Sequence, residues 1–408
     1  MKKTTLRQYA RLIARVGGNI QKGQSVVINA QLDQPEFIKM LVEECYKAGA
    51  SNVTVDWSYQ PLAKINTRYR SLKVMGKVEE WEIAKLQHQV DTLPVRLHIV
   101  SDDPDGLKGI NQEKLAKARK LRYPIVKPYN DKMDSRYQWC IAAVPGAAWA
   151  KKVFPGLSKN QAIEKLWEAI LHTARADGDD PIEAWNQHNA DLKKRFEYLN
   201  SLGIASLEYK SSNGTDFKVG LIPDSEFHGG GDTTLLGNYF NPNIPSEEVY
   251  TSPKKGEAEG TVVATMPLSY QGELIENFSM RFEGGKVVEV HADKNEELLK
   301  KMITMDEGAA YLGEVALVPY TSPINQTGIL FYNTLFDENA RCHLALGRGF
   351  PETVKNYENL TLEQCYEKGI NDSMIHVDFM MGSEDLSIVA VTKDGNRVPV
   401  FENGVWCF

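Results

Sequence analysis

His376-Val377-Asp378 sets an imidazole and a carboxylate two residues apart inside an apolar segment. On a strand that spacing turns both onto one face, where they could share a cation or a proton, and turns Val377 and Phe379 into a core. The plainer use of such a pair is a carboxylate that fixes the tautomer of a histidine. A second histidine, His343, opens the small apolar run Leu344-Ala345-Leu346-Gly347. Cys342 beside it would face the opposite way on an extended chain, as a core thiol. Glu314 begins the run Val315-Ala316-Leu317-Val318, and alone reads as the solvated end of a strand. Glu247-Glu248-Val249 lies between Pro245 and Pro253, and alone reads as a solvated loop. The other histidines (His88, His98, His172, His188, His228 and His291) show no comparable acidic spacing. His188 in particular falls in a polar helix, where replacement should be near neutral.

Jointly the pattern says more than its parts. Glutamates, an aspartate and two histidines without cysteine form a hard-to-borderline ligand set, suited to Zn²⁺, Co²⁺ or Mn²⁺ better than a thiolate site or a calcium cage. About four carboxylates can balance two divalent cations, so a dinuclear centre is expected, one that would acidify water and stabilise a developing oxyanion. Nucleotide chemistry finds no support. The fingerprint G-x-G-x-x-G follows none of the expected strands, and no G-x-x-x-x-G-K-[ST] occurs. Gly229-Gly230-Gly231 reads as a flexible turn.

These residues need elements to hold them. Val26-Val27-Ile28, Val53-Thr54-Val55, residues 95–100 and residues 139–144 read as strands separated by helical segments, which predicts parallel βαβ units. Asp33 with Glu36 and Ser158 with Gln161 read as capping boxes, and a helix is expected from about 181 to 202. After residue 205 the pattern changes to hairpins. Asn213-Gly214, Gly284-Gly285, Asp394-Gly395 and Asn403-Gly404 each separate strand-like runs, with one helix expected after an Asp293–Glu296 cap. The fold class is therefore α/β followed by α+β: residues 1–195 as an N-terminal layered domain with a largely parallel sheet, and residues 196–408 as a C-terminal domain of antiparallel hairpins carrying the dinuclear site.

Composition sets the outer bounds. The chain of 408 residues is too long for one small core, and its net charge of −7 offers no basic field for nucleic acid. Hydrophobic residues at 42% and charged residues at 25% match globular averages and argue against long disorder. No run approaches the ~20 apolar residues of a membrane helix, and no apolar segment follows Met1-Lys2-Lys3 as in a signal peptide. Five scattered cysteines fit reduced thiols. A cytoplasmic protein without membrane or nucleic-acid partners is expected.

Four motifs in order carry a resemblance over essentially the whole chain. They are Asn243-Ile244-Pro245-Ser246-Glu247-Glu248-Val249, then Gly313-Glu314-Val315-Ala316-Leu317-Val318, then Asp337-Glu338-Asn339-Ala340 with His343-Leu344-Ala345-Leu346-Gly347, and finally His376-Val377-Asp378-Phe379-Met380. The sequence closely resembles the aminopeptidase T/aminopeptidase S family of metallopeptidases. That resemblance implies a cytoplasmic exopeptidase acting on short peptides, usually a homodimer, with two divalent ions per chain (Zn, Co, Mn or Mg) and an N-terminal domain that restricts access. Matched motif by motif, it implies Glu248 (or Glu247, one position earlier), Glu314, Glu338, His343, His376 and Asp378 as metal ligands. Glu314 is the implied bridging or proton-handling carboxylate. Where the family has a tyrosine, seven residues after the first histidine, this chain has Phe350, with Tyr332 and Tyr357 the nearest substitutes in sequence. A ligand-binding or scaffold protein on the same fold, without catalysis, is the alternative.

Overall fold

Val26, Ile28 and Ala30 alternate with half-exposed neighbours and bury one face of the strand Ser25–Gln31. In this computed structural model, which describes residues 1–408, that strand lies within a five-stranded parallel sheet. The strand order is Asn243–Ile244, Trp139–Ala143, Val95–Val100, Ser25–Gln31, Asn52–Ser58. The helix Pro35–Ala48 buries Phe37, Ile38, Leu41 and Cys45 and stops at Gly49, whose φ of 119° only glycine adopts without strain. Phe37 meets Trp167 with ring centroids 5.5 Å apart. Ser158 and Gln161 form the expected capping box. Asp33 does not: Pro35 starts the helix, Gln34 is its N-cap, and the Asp33 carboxylate accepts the Ser101 hydroxyl at 2.8 Å.

Two compact units divide the chain, Met1–Gln187 with Gly231–Pro245, and His188–Gly230 with Ser246–Phe408. They differ from the 1–195 and 196–408 division in two places. The helix Pro181–Ser201 runs through the boundary without a compositional break. Residues 231–245 return to the first unit, whose sheet gains Asn243–Ile244 beside Trp139–Ala143.

The second unit holds two antiparallel sheets around one core. In the larger sheet, Ile204–Lys210 pairs with Asp216–Leu221 across Asn213-Gly214, and Glu273–Glu283 pairs with Lys286–Lys294 across Gly284-Gly285. Ser387–Thr392, Arg397–Glu402 and Val405–Trp406 make the C-terminal meander. The smaller sheet orders His376–Met380, His343–Gly347, Leu312–Leu317, Val249–Thr251 and His228–Gly229. Leu207, Phe217, Phe278 and Phe282 of the larger sheet share a core with Val315, Leu344 and Phe379 of the smaller one. The opposite face of the smaller sheet is left for polar residues. Two turn expectations change. The helix Glu296–Met302 is entered through Asn295, while Glu296 accepts the Ala292 N–H. Gly229 is a strand residue: a Cβ there would lie 2.7 Å from the Glu248 carbonyl oxygen, so the close approach of two strands requires glycine.

Candidate metal centre

Strand register assembles the site. Ala316 pairs with His343 and His343 with Met380; Glu314 pairs with Ala345 and Ala345 with Asp378; Gly347 pairs with His376. Val315, Leu344, Leu346 and Phe379 occupy the core, so the residues between them project from the other face. On that face Ala316, Ala345 and Gly347 keep the floor low, leaving room above it for Glu314, His343, His376 and Asp378. Val249 is buried in the core, which turns Glu248 and Tyr250 the same way.

The functional atoms converge. His343 Nε2 lies 3.2 Å from Glu248 Oε2. His376 Nε2 lies 3.1 Å from Glu314 Oε2 and 3.2 Å from Asp378 Oδ1. Glu248, Glu314 and His343 form one compact triad, and Glu314, His376 and Asp378 form a second that shares Glu314. Glu338 stands outside both triads but close enough for its charge to couple to Asp378, Glu248 and Glu314. Backbone carbonyls orient both rings: His376 Nδ1 donates to the Arg348 carbonyl at 2.7 Å, which leaves Nε2 facing the carboxylates. His343 Nδ1 faces the Arg341 carbonyl at 3.3 Å.

Charge in this cluster is heavily perturbed. Burial raises the Glu314 pKa, the nearby Glu248 charge adds to the rise, and His376 partly opposes it. Burial also drives Glu338 well above the carboxylate range, with Asp378, Glu248 and Glu314 pushing the same way. Burial alone would lower both histidines, but acidic neighbours overturn it: Glu248 leads in raising His343 to about 9, and Asp378 in raising His376 well above its ordinary value. Burial would raise Asp378, yet His376 and His343 hold it below the usual range. Four carboxylates confront two imidazoles with no lysine or arginine paired to them, a charge set that divalent cations complete.

The solvated-loop and solvated-end readings of Glu248 and Glu314 fail, since they are only 7% and 4% exposed. Glu247 points elsewhere: its N–H donates to Asn339 Oδ1 at 2.7 Å and its carboxylate lies 3.9 Å from His188 Nε2. His188 is correspondingly no neutral control, because its ring is buried and Nε2 bonds the Ser246 carbonyl at 2.7 Å. Cys342 is the expected core thiol. Three positions escaped the sequence. Asn339 ties the two acidic segments, accepting from Glu247 N–H and donating to Glu338 Oε1 at 3.3 Å. Asp337 braces the same loop by accepting the N–H groups of Phe331 and Asn333. Tyr250 lies two residues beyond Glu248, an alternation that was present to be read.

Buried carboxylates and imidazoles gathered on one face of an antiparallel sheet define a metalloenzyme. The chain belongs to the thermophilic metalloprotease family M29, whose model matches residues 2–406, and it is a metallopeptidase. It is 41% identical over 404 residues to aminopeptidase AmpS of Bacillus subtilis (strain 168), covering 99% of this chain and 98% of that protein. A solved structure of wild-type AmpT from Thermus thermophilus superimposes with a TM-score of 0.89 at 37% identity, covering all of both chains. The fold alone is shared with a dihydroxypyridine dioxygenase from Pseudomonas putida KT2440, at 13% identity and a TM-score of 0.51, covering 99% of this chain and 96% of that one. Fold by itself therefore does not decide the chemistry; the site must.

Proposed function

We propose that the protein is an aminopeptidase that removes the N-terminal residue of short peptides, using two divalent ions per chain. The observation that carries this is the pair of triads sharing Glu314 on one sheet face. Glu248, Glu314 and His343 would hold one ion; Glu314, His376 and Asp378 would hold the other, with Glu338 adding a further carboxylate. Bound there, the ions would acidify water and offset negative charge developing on the scissile carbonyl. The chain's own groups do the rest. The Arg348 and Arg341 carbonyls hold the imidazoles in orientation. Glu314, buried and common to both triads, is the carboxylate we assign either to bridge the ions or to handle the proton passing from water toward the leaving amine. The acidic surroundings also suit a free α-ammonium group. The access-restricting role of the N-terminal unit, the homodimer and the cytoplasmic location implied by the family resemblance belong to the same proposal.

Purified protein should bind about two divalent ions per chain, and chelation should abolish release of N-terminal residues from tripeptides. His376→Ala and Asp378→Ala should each lose metal and activity together, by more than the 10- to 100-fold typical of outer-shell changes. Full activity in metal-stripped enzyme assayed without divalent ions would defeat the proposal.

A further inference from the structure

The helix Pro61–Tyr69 is turned inside out. Its one buried residue is Thr67, whereas Leu62, Ile65 and Tyr69, a single stripe at spacing i, i+3, i+7, are 49%, 52% and 79% exposed. The neighbouring helices are equally bare. Leu72–Met75 and Glu80–Thr92 bury no residue, and Trp81 is 68% exposed. The longer helix Gln112–Met133 buries only Ala118 and Met133 and leaves Leu121 and Ile125 exposed. Specific contacts join these helices into one layer. Lys114 Nζ donates to the Thr67 carbonyl at 2.6 Å, and Arg122 pairs with Glu82 at 2.6 Å. Leu121 packs so closely on Gly76 that a Cβ there would lie 2.5 Å from its Cδ1. Charge is as one-sided as the exposure. Between Asp56 and Glu79 the chain has no acidic residue, but it has Lys64, Arg68, Arg70, Lys73 and Lys77. Lys64, Arg68 and Lys73 are exposed without an ion-pair partner, as are Arg119 and Lys120 on the longer helix.

We infer that this layer is a docking surface for an anionic phospholipid bilayer. An outward apolar stripe rimmed by basic side chains is what lies in a membrane interface: the aliphatic residues enter the headgroup boundary, and the cations meet lipid phosphate. Tyr69 and Trp81 supply the amphipathic rings that favour that depth. Charge complementarity selects this occupant. A second copy docked about a two-fold axis would bring the same patch against itself and set Lys64, Arg68 and Lys73 against like charge. Single-stranded nucleic acid needs aromatic faces for its bases, and this stripe is mostly aliphatic. No helix is long and apolar enough to cross a membrane, so the contact is with the bilayer surface. The expectation of no membrane partner rested on the lack of a spanning segment and on a whole-chain charge of −7. Neither describes a local basic patch. The inference is independent of the metal centre, whose residues all belong to the other unit.

The test is co-sedimentation of the full chain with vesicles of phosphatidylglycerol and phosphatidylcholine, and with vesicles of phosphatidylcholine alone. Wild type should bind the anionic vesicles at low salt at least about tenfold more tightly than the neutral ones, and rising salt should release it. Each basic residue at such a surface is worth roughly fivefold in affinity, so Arg68→Glu with Lys73→Glu should weaken binding at least about 25-fold. Lys301→Glu, the same charge change at an exposed position of the other unit, should alter it little. Leu62→Ser with Ile65→Ser leaves every basic residue in place and should still weaken binding by roughly tenfold or more. Tryptophan emission should shift to the blue on binding, and less so in Trp81→Phe. All of these side chains are exposed, so urea unfolding midpoints should stay at the wild-type value and separate lost docking from lost folding. Absence of binding at low salt, equal binding to neutral and anionic vesicles, or unchanged binding in both double variants would overturn the inference. So would retention on polyuridylate without vesicle binding, which would assign the patch to nucleic acid. Loss of an oligomer in Leu62→Ser with Ile65→Ser while vesicle binding persists would overturn it too, and would assign the patch to a second copy.

Discussion

At His228 the imidazole loses water on entering the sheet, and its buried Nε2 gains no hydrogen bond in return. Burial lowers the pKa from 6.5 to about 4. A histidine whose folded pKa lies below its unfolded one contributes full stability above about pH 6.5 and loses that contribution as pH falls through about 4. The span corresponds to about 3 kcal/mol. His228→Phe keeps a ring against Phe196 and Tyr250 but takes no proton. Urea unfolding of both proteins should show their stability difference changing by about 3 kcal/mol between pH 7 and pH 4. Asp232 and Asp337, whose pKa values burial raises to about 6 and about 7, act with the opposite sign and cancel in the difference. A pH-independent difference would mean that His228 titrates normally. Phe350 carries a second residue-scale prediction. One oxyanion donor elsewhere is worth 10²–10³ in turnover. Phe350→Tyr adds a hydroxyl to the ring against His376 and should raise kcat on a dipeptide amide by roughly tenfold or more, with KM little changed. An unchanged or lower kcat at full metal content would point to a donor already present, with Tyr250 the nearest ring. Of the two residues named in sequence as substitutes, Tyr357 packs on a separate small cluster with Ile222 and Val354. Sequence proximity misled because the sheet, not the chain, sets which tyrosine is near.

Turn chemistry is local, which is why the hairpins at Asn213-Gly214, Gly284-Gly285 and Asn403-Gly404 could be placed from sequence to within a residue or two. The alternation that put His376 and Asp378 on one face was legible for the same reason, since a strand repeats every two residues. What stayed hidden depends on distant partners. The role of Gly229 is set by a carbonyl at Glu248, the cap at Asp33 is lost to Ser101, and the departure of residues 231–245 has no marker in composition. Gly347 shows how tightly such contacts hold the site. Its φ is 104°, a Cβ would lie 2.1 Å from the Ile375 carbonyl oxygen, and its own carbonyl accepts from Asn371 Nδ2 at 2.6 Å. It is also the strand partner of His376. Gly347→Ala should therefore cost roughly 2–4 kcal/mol in urea unfolding and weaken ion uptake in a metal titration, because relieving the clash moves the His376 strand. Wild-type values in both measurements would show that the strand ends yield without disturbing the cluster.

On the scale of the whole molecule, Glu248, Glu314, Glu338, His343, His376 and Asp378 are scattered through the sequence, yet all belong to the second unit. Spacing alone could not join them; the family motifs could, and the register of one small sheet explains why for all but Glu338, which lies on the turn Glu338–Ala340. That sheet has its apolar face committed to the core and its polar face loaded with like charge, so ion binding and folding are coupled there. An ion at one hundred times its Kd stabilises the state that binds it by about 2.7 kcal/mol. Amide hydrogen exchange before and after chelation should accordingly show protection falling in Leu312–Leu317, His343–Gly347 and His376–Met380. Protection in Ser25–Gln31 and Val95–Val100 of the first unit should be unchanged. The effect also has a pH direction. His343, raised to about 9 by Glu248 against the pull of burial, favours its protonated form at neutral pH without an ion and would release that proton on ligating one. Ion uptake should release protons at pH 7, and the protection gained from added metal should shrink as pH falls from 8 to 6. Protection lost equally in both units would mean that the ions stabilise the chain as a whole, and protection that survives chelation everywhere would mean that the six residues hold together without them.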